Sequence, residues 1–164
     1  HTRQGAIRYL ESASSGRFGG LAAYRPVEAP SRPMTAEALA CRHFLGLAPD
    51  TRTTDEATQY LLSEPPGDGE PNFYYWYYGT LAMFQAGGDA WKQWLKAMES
   101  AIVDSQRRDG CAKGSWDPVG PWGAEGGRVY STALMVMCLE VYYRYGEALD
   151  SFGTAPELDD LFFE

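Results

Sequence analysis

The hydrophobic and polar positions of this chain predict six helices arranged as three hairpins. Between residues 89 and 106, apolar side chains recur on one face at helical spacing, namely Trp91, Trp94, Leu95, Met98 and Ile102. Amphipathic helices are likewise predicted over about 5–14 and 53–64. Each amphipathic helix is followed by a Gly- or Pro-rich loop and then by a more apolar helix, over about 35–46, 73–86 and 128–145.

Local signals set the expected ends of several helices. Thr53 and Glu56 form a capping box at the start of the third helix. Thr35 is a suitable N-cap for the second helix, and Gly146 is the expected C′ residue of the last one. Gly79 lies inside the fourth helix, where a missing side chain indicates close contact with another helix.

A short sequence pattern recurs near the start of each hairpin. It reads Ala-Ile at 6–7, Ala-Thr at 57–58 and Ala-Ile at 101–102, so the copies start 51 and then 44 residues apart. A period of roughly 40 to 50 residues with two helices per unit is typical of arrays of helical hairpins. One hairpin cannot bury its apolar face alone, so the units must stack, curve or close. The expected repeats cover about 4–47, 53–88 and 89–146.

The two helices of each hairpin differ in how much of their surface is apolar. The first is amphipathic, whereas the second is apolar nearly all round, most clearly over 74–84 and 130–143. A helix that is apolar on every side has to be covered on every side. The expected fold is therefore all-α, a partial ring over residues 1–149 with inner apolar and outer amphipathic helices. Residues 150–164 form an acidic, partly hydrophobic C-terminal tail.

Composition limits the classes of partner. The chain has 164 residues, of which 45% are hydrophobic, enough for one domain with a sizeable core. Its net charge of -8 argues against nucleic acid or an anionic membrane as the main partner. No apolar run approaches the roughly 18 residues of a membrane span. The cysteines are three in number and widely spaced, which does not indicate a disulfide framework. Cys41 and Cys138 are expected in the core. The chain begins at His1, so a targeting segment can have been removed and the compartment stays open.

One motif in the third repeat carries a family resemblance. Ala101 and Ile102, then Gln106, then Gly114-Ser115-Trp116, are similar to the QW repeat of the prenyltransferase and squalene-hopene cyclase superfamily, although the spacing from Gln to Gly is longer. The first repeat carries a weaker copy, with Glu11, Gly16 and Phe18 at the corresponding places.

The resemblance implies an α/α toroid in which the motif residues have a structural role at a helix end. It also implies a repeat domain that is a non-catalytic binding or scaffold module of a larger protein. The implied partner is an apolar or polyprenyl-like small molecule or another protein domain. Three hairpins would cover only part of a toroid, which predicts an open arc, a homodimer, or contact with further repeats.

The catalytic groups of the family have no clear counterpart here. The cyclase acid lies in an Asp-x-Asp-Asp-Thr-Ala run, whereas the best match, residues 31–36, ends in Thr35-Ala36 and contains no acid. Protonating an alkene requires a strong, positioned carboxylic acid. Zinc needs three or four convergent ligands, but Cys41 and His43 are two residues apart on a helix and point apart. We therefore expect no metal, no cofactor and no catalytic residue in this segment; an enzyme with its acid elsewhere in the ring stays open.

The aromatic run at residues 73–78 is the main candidate for a ligand-binding surface. Its rings surround a helix, so they either fill the core or face the centre of the ring, where they would bind an apolar chain, stabilise a cation or stack a sugar. Glu140 is added because it is the one charge between Arg128 and Arg144, either a functional acid or a carboxylate with a partner at the helix edge. The candidate pocket residues are Tyr74, Tyr75, Trp76, Tyr78, Trp116, Trp122 and Glu140.

Three classes of function stay open. The first is the binding or scaffold module, and the second is a terpene cyclase or prenyltransferase-like enzyme whose acid lies outside this segment. The third is a carbohydrate-active toroid that would use Asp117, Glu125 or Glu140 as acid and base. The loop that contains Asp117 and Glu125 is either held by turns and ion pairs or forms the mouth of a ligand site.

Overall fold

Six helices and one very small β-ribbon make up the part of the chain that the structure describes. A computed structural model describes residues 1–47 and 50–150, with side chains up to residue 141. The helices are α1 (Thr2–Ala13), α2 (Arg32–Phe44), α3 (Thr51–Leu62), α4 (Phe73–Ala86), α5 (Gly88–Ser105) and α6 (Gly123–Asp150). The strands β1 (Ser14–Ser15) and β2 (Leu21–Ala22) pair antiparallel between α1 and α2. The prediction of a mostly helical protein is confirmed, and the ribbon is an addition to it.

The ends of α4 match the predicted residues. For α6, the break at Gly127 puts the start of its long part at about the predicted Arg128, and only its predicted end differs. The Asn72 side chain accepts a hydrogen bond from the Tyr75 N–H at 3.1 Å, and Gly87 ends the helix at φ 68°. α6 begins at Gly123, breaks at Gly127 (φ 65°, ψ -169°) and continues past Gly146, so the predicted end at Gly146 is wrong. The tail predicted at 150–164 lies outside the described residues from residue 151 onward.

The predicted capping box at the start of α3 is also wrong. Asp50 is the N-cap of this helix, and its carboxylate accepts from the Thr53 N–H at 3.0 Å. The Glu56 carboxylate instead reaches the loop after β1, where it accepts from the backbone N–H groups of Arg17 (2.6 Å), Phe18 (3.0 Å) and Gly20 (2.8 Å). Desolvation opposes ionisation of Glu56, but these three hydrogen bonds outweigh it and lower the pKa of the carboxyl. Glu56 thus fastens the first hairpin to the second.

Three helices, α2, α4 and α6, lie side by side. α4 packs against α2 on one side and α6 on the other. Among the first helices, α3 contacts α2, α4 and α5, and α5 contacts α4. The two sets of helices share one hydrophobic core, whose fully buried members include Leu39, Leu61, Met83, Trp94 and Met135.

The contact between α4 and α5 is unusually close at Gly79. A Cβ atom at this position would lie 2.5 Å from Cη2 of Trp94 and closer still to its Cζ2. The indole of Trp94 is fully buried, and its Nε1–H donates to the Thr80 hydroxyl at 3.0 Å. The close helix contact predicted from Gly79 is confirmed, and Trp94 is the side chain that takes up the space.

The expectation that every apolar helix is enclosed holds for α4 but is wrong for α6. Nine residues of α4 are buried. On α6, Leu134, Met135 and Cys138 are buried, whereas Val129 is 83% exposed and Val136 is 50% exposed. α6 is the last helix of the row, and α4 covers it from one side. Its apolar composition therefore leaves a hydrophobic stripe at the surface.

The first and third hairpins share a connection that we call the clasp, formed by Ser14, Ala22 and Thr35 in one and by Gln106, Trp116 and Thr132 in the other. Ser14 and Gln106 directly follow their helices in extended conformation (φ -76°, ψ 145° and φ -71°, ψ 133°). Ser14 pairs antiparallel with Ala22, as Gln106 does with Trp116. The N–H of each pairing partner then donates to the threonine of the next helix, at 3.0 Å for Ala22 and 3.2 Å for Trp116.

The clasp gives the QW-like residues a structural place in the third hairpin. The Gln106 amide donates to the Gly114 carbonyl at 3.1 Å, and the buried Trp116 indole donates to the Ile102 carbonyl in the last turn of α5 at 3.0 Å. This satisfies a carbonyl that the helix end would leave without a partner.

In the first hairpin the backbone pairing differs from the motif alignment. Gln106 is the residue that directly follows its helix. In the first hairpin this residue is Ser14 and not Glu11, because α1 continues to Ala13 and Glu11 still lies within it. Glu11 is exposed, and Phe18 is 40% exposed with the Arg17 and Arg52 guanidinium groups over its ring. Gly16 (φ 88°) lies against the Glu56 carboxylate.

Candidate functional site

The aromatic run of α4 is divided between the core and a surface groove. Tyr75 and Trp76 are buried, each 4% exposed. The Tyr75 ring stands edge-on to Trp94 with centroids 5.6 Å apart, and its hydroxyl donates to the Leu61 carbonyl at 2.9 Å. Tyr74 and Tyr78 are half-buried, with ring centroids 4.8 Å apart. Helical spacing explains the division, since residues four apart share a face.

Three helices contribute to the surface around Tyr74 and Tyr78, which we call the inner surface: Glu37 and Cys41 of α2, Tyr74 and Tyr78 of α4, and Tyr130 of α6. The Tyr74 hydroxyl donates to Glu37 Oε2 at 2.8 Å. Burial and the Glu37 charge raise the pKa of Tyr74 and of Tyr78, and burial with the nearby Tyr78 raises that of Tyr130. These phenols are therefore neutral at physiological pH.

An apolar cavity of about 410 Å³ lies between α1, β2 and α2, at the edge of the inner surface. Glu37 and Cys41 face this cavity, and burial followed by the Glu37 charge raises the pKa of the Cys41 thiol. Cys41 is therefore half-buried and not a full core residue as expected, whereas Cys138 is fully buried as predicted. The other side chains of this α1–α2 cavity are mainly apolar, including Ala6, Tyr9, Leu10, Tyr24, Met34, Ala38 and Phe44.

A second cavity of about 340 Å³ lies beside the start of α6. Tyr74, Trp122, Glu125, Gly126 and Tyr130 line it, and we call it the Trp122 cavity. Trp122 is 54% exposed, and Glu125 is exposed. Tyr74 connects the two cavities because it lines this one and bonds to Glu37 of the other.

Four of the seven predicted pocket residues lie away from the inner surface. Tyr75, Trp76 and Trp116 are buried core residues, and Glu140 is half-buried further along α6, outside both cavities. Tyr74 contacts Tyr78 and lines the second cavity together with Trp122, so these three stay candidates for a ligand site.

Glu37 is the site residue that the sequence did not reveal. It is the one acid of α2 and directly follows residues 31–36, which contain no acid. The sequence signal that could have indicated Glu37 is that it is a single carboxylate among the Ala, Met and Leu residues of α2.

Ion pairs hold the loop between α5 and α6. Asp117 pairs with Arg128 at 2.6 Å and lies 3.7 Å from Arg107, which also contacts Asp109 at 3.3 Å. Arg128 donates in addition to the Ser115 hydroxyl at 3.0 Å. The Asp117 carboxylate is therefore used for loop structure, and Glu125 is the acid of this region that faces a cavity.

Cys41 and His43, which the sequence analysis considered as metal ligands, both lie on α2 and are both half-buried. Burial lowers the pKa of His43, which keeps the ring neutral. Within residues 1–47 and 50–150, no group of three or more His, Cys, Asp or Glu side chains could hold a metal ion. No helix in the same residues has the length and hydrophobicity needed to cross a bilayer.

Comparison of the chain with models of known protein families, with curated proteins and with solved structures finds no match.

Proposed function

We propose that this chain is a non-catalytic binding or scaffold module, similar to the repeats of prenyltransferases and squalene-hopene cyclases, whose α1–α2 cavity takes up a neutral, polyprenyl-like molecule. The observation that carries the proposal is the α1–α2 cavity. Its volume of about 410 Å³ lies within the roughly 300–1,000 Å³ that small-molecule sites occupy. Its walls are mostly aliphatic and aromatic side chains, which is the chemistry that an isoprenoid chain requires.

Charge at the cavity favours a neutral ligand over a diphosphate. Glu37 is the charged side chain among the residues that line it, and none of them is Lys or Arg. A carboxylate repels a diphosphate but accepts a hydrogen bond from a hydroxyl, so a prenol can place its head at Glu37. Tyr74 already donates to Oε2 of Glu37, so Oε1 is the carboxylate oxygen left to accept from a ligand hydroxyl.

The scaffold part of the proposal is a partial α/α toroid, in which α2, α4 and α6 are the inner wall and α1, α3 and α5 the outer one. It is supported by the packing order of the helices and by the clasp that the first and third hairpins share. The exposed stripe on α6, with Val129 and Val136, would be covered by further hairpins or by a second copy of the chain.

The test uses an apolar fluorescent probe, N-phenyl-1-naphthylamine, and its displacement. We expect the probe to brighten with the protein and farnesol, but not farnesyl diphosphate, to displace it. Ala6 is exposed and lines the cavity mouth, so Ala6→Trp should weaken probe binding about tenfold, or about 1.4 kcal/mol.

Gln4→Trp is the matched control, because Gln4 is exposed on the same helix but does not line the cavity. Circular dichroism checks that both variants keep the wild-type helix content. Equal probe binding by Ala6→Trp and Gln4→Trp, or displacement by the diphosphate alone, would refute the proposed site.

A further inference from the structure

We propose that the Trp122 cavity is a binding site for a small ligand with a quaternary ammonium group. Its walls combine three aromatic side chains from separate places in the fold with one carboxylate. Tyr74 comes from α4, Tyr130 from α6, and Trp122 from the turn that precedes α6. The site differs from the α1–α2 cavity in position and in ligand charge, so it stands independently of the function proposed above.

The aromatic rings supply the attraction for a cation. The π face of Trp, and less strongly of Tyr, attracts a cation that lies within about 6 Å of the ring centroid. Burial raises the pKa values of Tyr74 and Tyr130, so both rings carry neutral phenols at physiological pH. Gly126 leaves room for Tyr130, because a Cβ atom there would lie 2.5 Å from Cγ of that ring. The glycine lets the ring pack directly against the backbone at the cavity wall.

The local charge also favours a cation. Glu125 lines the cavity, and among the described residues its carboxylate makes neither a hydrogen bond nor an ion pair. Glu37 lies directly behind Tyr74, at 2.8 Å from its hydroxyl. The cation nearest in sequence, Arg128, is held by Asp117 at 2.6 Å. Two carboxylates therefore act on the cavity without an arginine or lysine in its lining.

The shortage of hydrogen-bond acceptors favours a methylated ammonium over a primary one. A primary ammonium has three N–H donors that need partners once it leaves water. The Tyr74 hydroxyl already donates to Glu37, which leaves the Glu125 carboxylate and the Tyr130 hydroxyl as side-chain acceptors, and the rest of the lining is the Trp122 ring and Gly126. A quaternary ammonium has no N–H group, so ring faces and one carboxylate satisfy it.

The experiment compares choline with its uncharged isostere 3,3-dimethyl-1-butanol by isothermal titration calorimetry. We expect choline to bind at least about tenfold more tightly, since the charge is the difference between them. The change should be visible in Trp122 fluorescence, because the other four tryptophans are buried. Equal affinity for the two compounds, or tighter binding of the neutral sugar cellobiose, would overturn the proposal.

Three variants assign the site. Trp122→Ala should weaken choline binding about tenfold, and Glu125→Gln should remove most of the preference for choline over the isostere. Both side chains are exposed, so the fold should survive, which circular dichroism checks. Phe18→Ala is the control, since it removes a part-exposed aromatic ring far along the chain and outside this cavity.

Unchanged choline affinity in Trp122→Ala would refute the proposed site, whatever the α1–α2 cavity is found to bind. A peptide with trimethyllysine is titrated as well. A preference of more than about tenfold for the peptide over choline would contradict a small-molecule ligand and assign the group to a protein side chain.

Discussion

Replacing Gly79 by Ala tests the closest contact in the core. The Cβ atom would overlap the benzene part of the Trp94 indole, which is fully buried and cannot move into solvent. If the ring shifts, its Nε1–H also leaves the Thr80 hydroxyl, now at 3.0 Å.

The expected cost follows from three contributions. Overpacking a core costs about 1–3 kcal/mol, and a buried donor without a partner costs about 1–3 kcal/mol. Replacing glycine by alanine inside a helix returns about 1 kcal/mol. We therefore expect a net destabilisation of about 3 kcal/mol, which for a chain of this size lowers the melting temperature by about 6–12 °C.

The assay is urea unfolding followed by far-ultraviolet circular dichroism. Gly5→Ala is the matched control, because Gly5 lies in α1 with nothing within 4 Å of a Cβ atom. It should stabilise the protein by up to about 1 kcal/mol. The contact is isolated by adding Trp94→Phe, which removes the overlapping atoms, so the double variant should cost less than the two single changes summed. Additive free energies, or a Gly79→Ala variant as stable as Gly5→Ala, would refute this account of the α4–α5 contact.

The remaining predictions concern the first hairpin and α6. Glu56→Gln should cost about 1–2 kcal/mol at neutral pH because the hydrogen bonds to its charged carboxylate weaken. The pKa of Glu56 is lowered by folding, so its stabilisation is present above the unfolded pKa of about 4.3 and is lost as pH falls through the folded value. Urea unfolding at a series of acidic pH values should therefore show the free energies of unfolding of wild type and Glu56→Gln approaching each other as the pH falls. A difference that does not change with pH would contradict the stabilising role of the Glu56 carboxylate. Met135→Ala should cost about 2–5 kcal/mol because the side chain is fully buried, whereas the neighbouring Val136→Ala should stay within about 0.5 kcal/mol; equal costs would contradict the exposed face of α6. Sedimentation of Val136→Lys should show less self-association than wild type if a second copy covers that stripe, and unchanged association would exclude this mode of dimerisation.

Helices were predictable here wherever one local signal decided the outcome. α4 has its predicted ends because the Asn72 side chain caps its start and Gly87 stops it. The first hairpin's ribbon was not predictable, since strands of two residues carry no alternation of polar and apolar positions. At α3, the Thr53–Glu56 spacing predicted the cap, but the helix begins earlier at Asp50, and the Glu56 carboxylate bonds to the loop after β1 instead.

Burial was predictable only where a helix has neighbours on all sides. α4 and α6 have similarly apolar sequences, yet α4 lies between two helices while α6 lies at the end of the row. The composition of a helix does not indicate whether the helix lies in the middle or at the end of a row. The candidate site was likewise found in part: helical spacing indicated that some rings of α4 face outward, but which ones depends on where Trp94 packs, and Glu37 became visible only through its bond to Tyr74.

The clasp has a consequence for how the connecting segments tolerate change. The two loops differ in what else depends on them, because Glu56 and Thr53 of α3 bond to residues 17–20 of the first loop. In the second loop, the pairing of Gln106 with Trp116 and the hydroxyl of Thr132 fix both ends. Foreign peptides grafted in place of residues 108–113 should therefore be displayed without loss of the scaffold, whereas a graft over 17–20 would remove the bonds to α3.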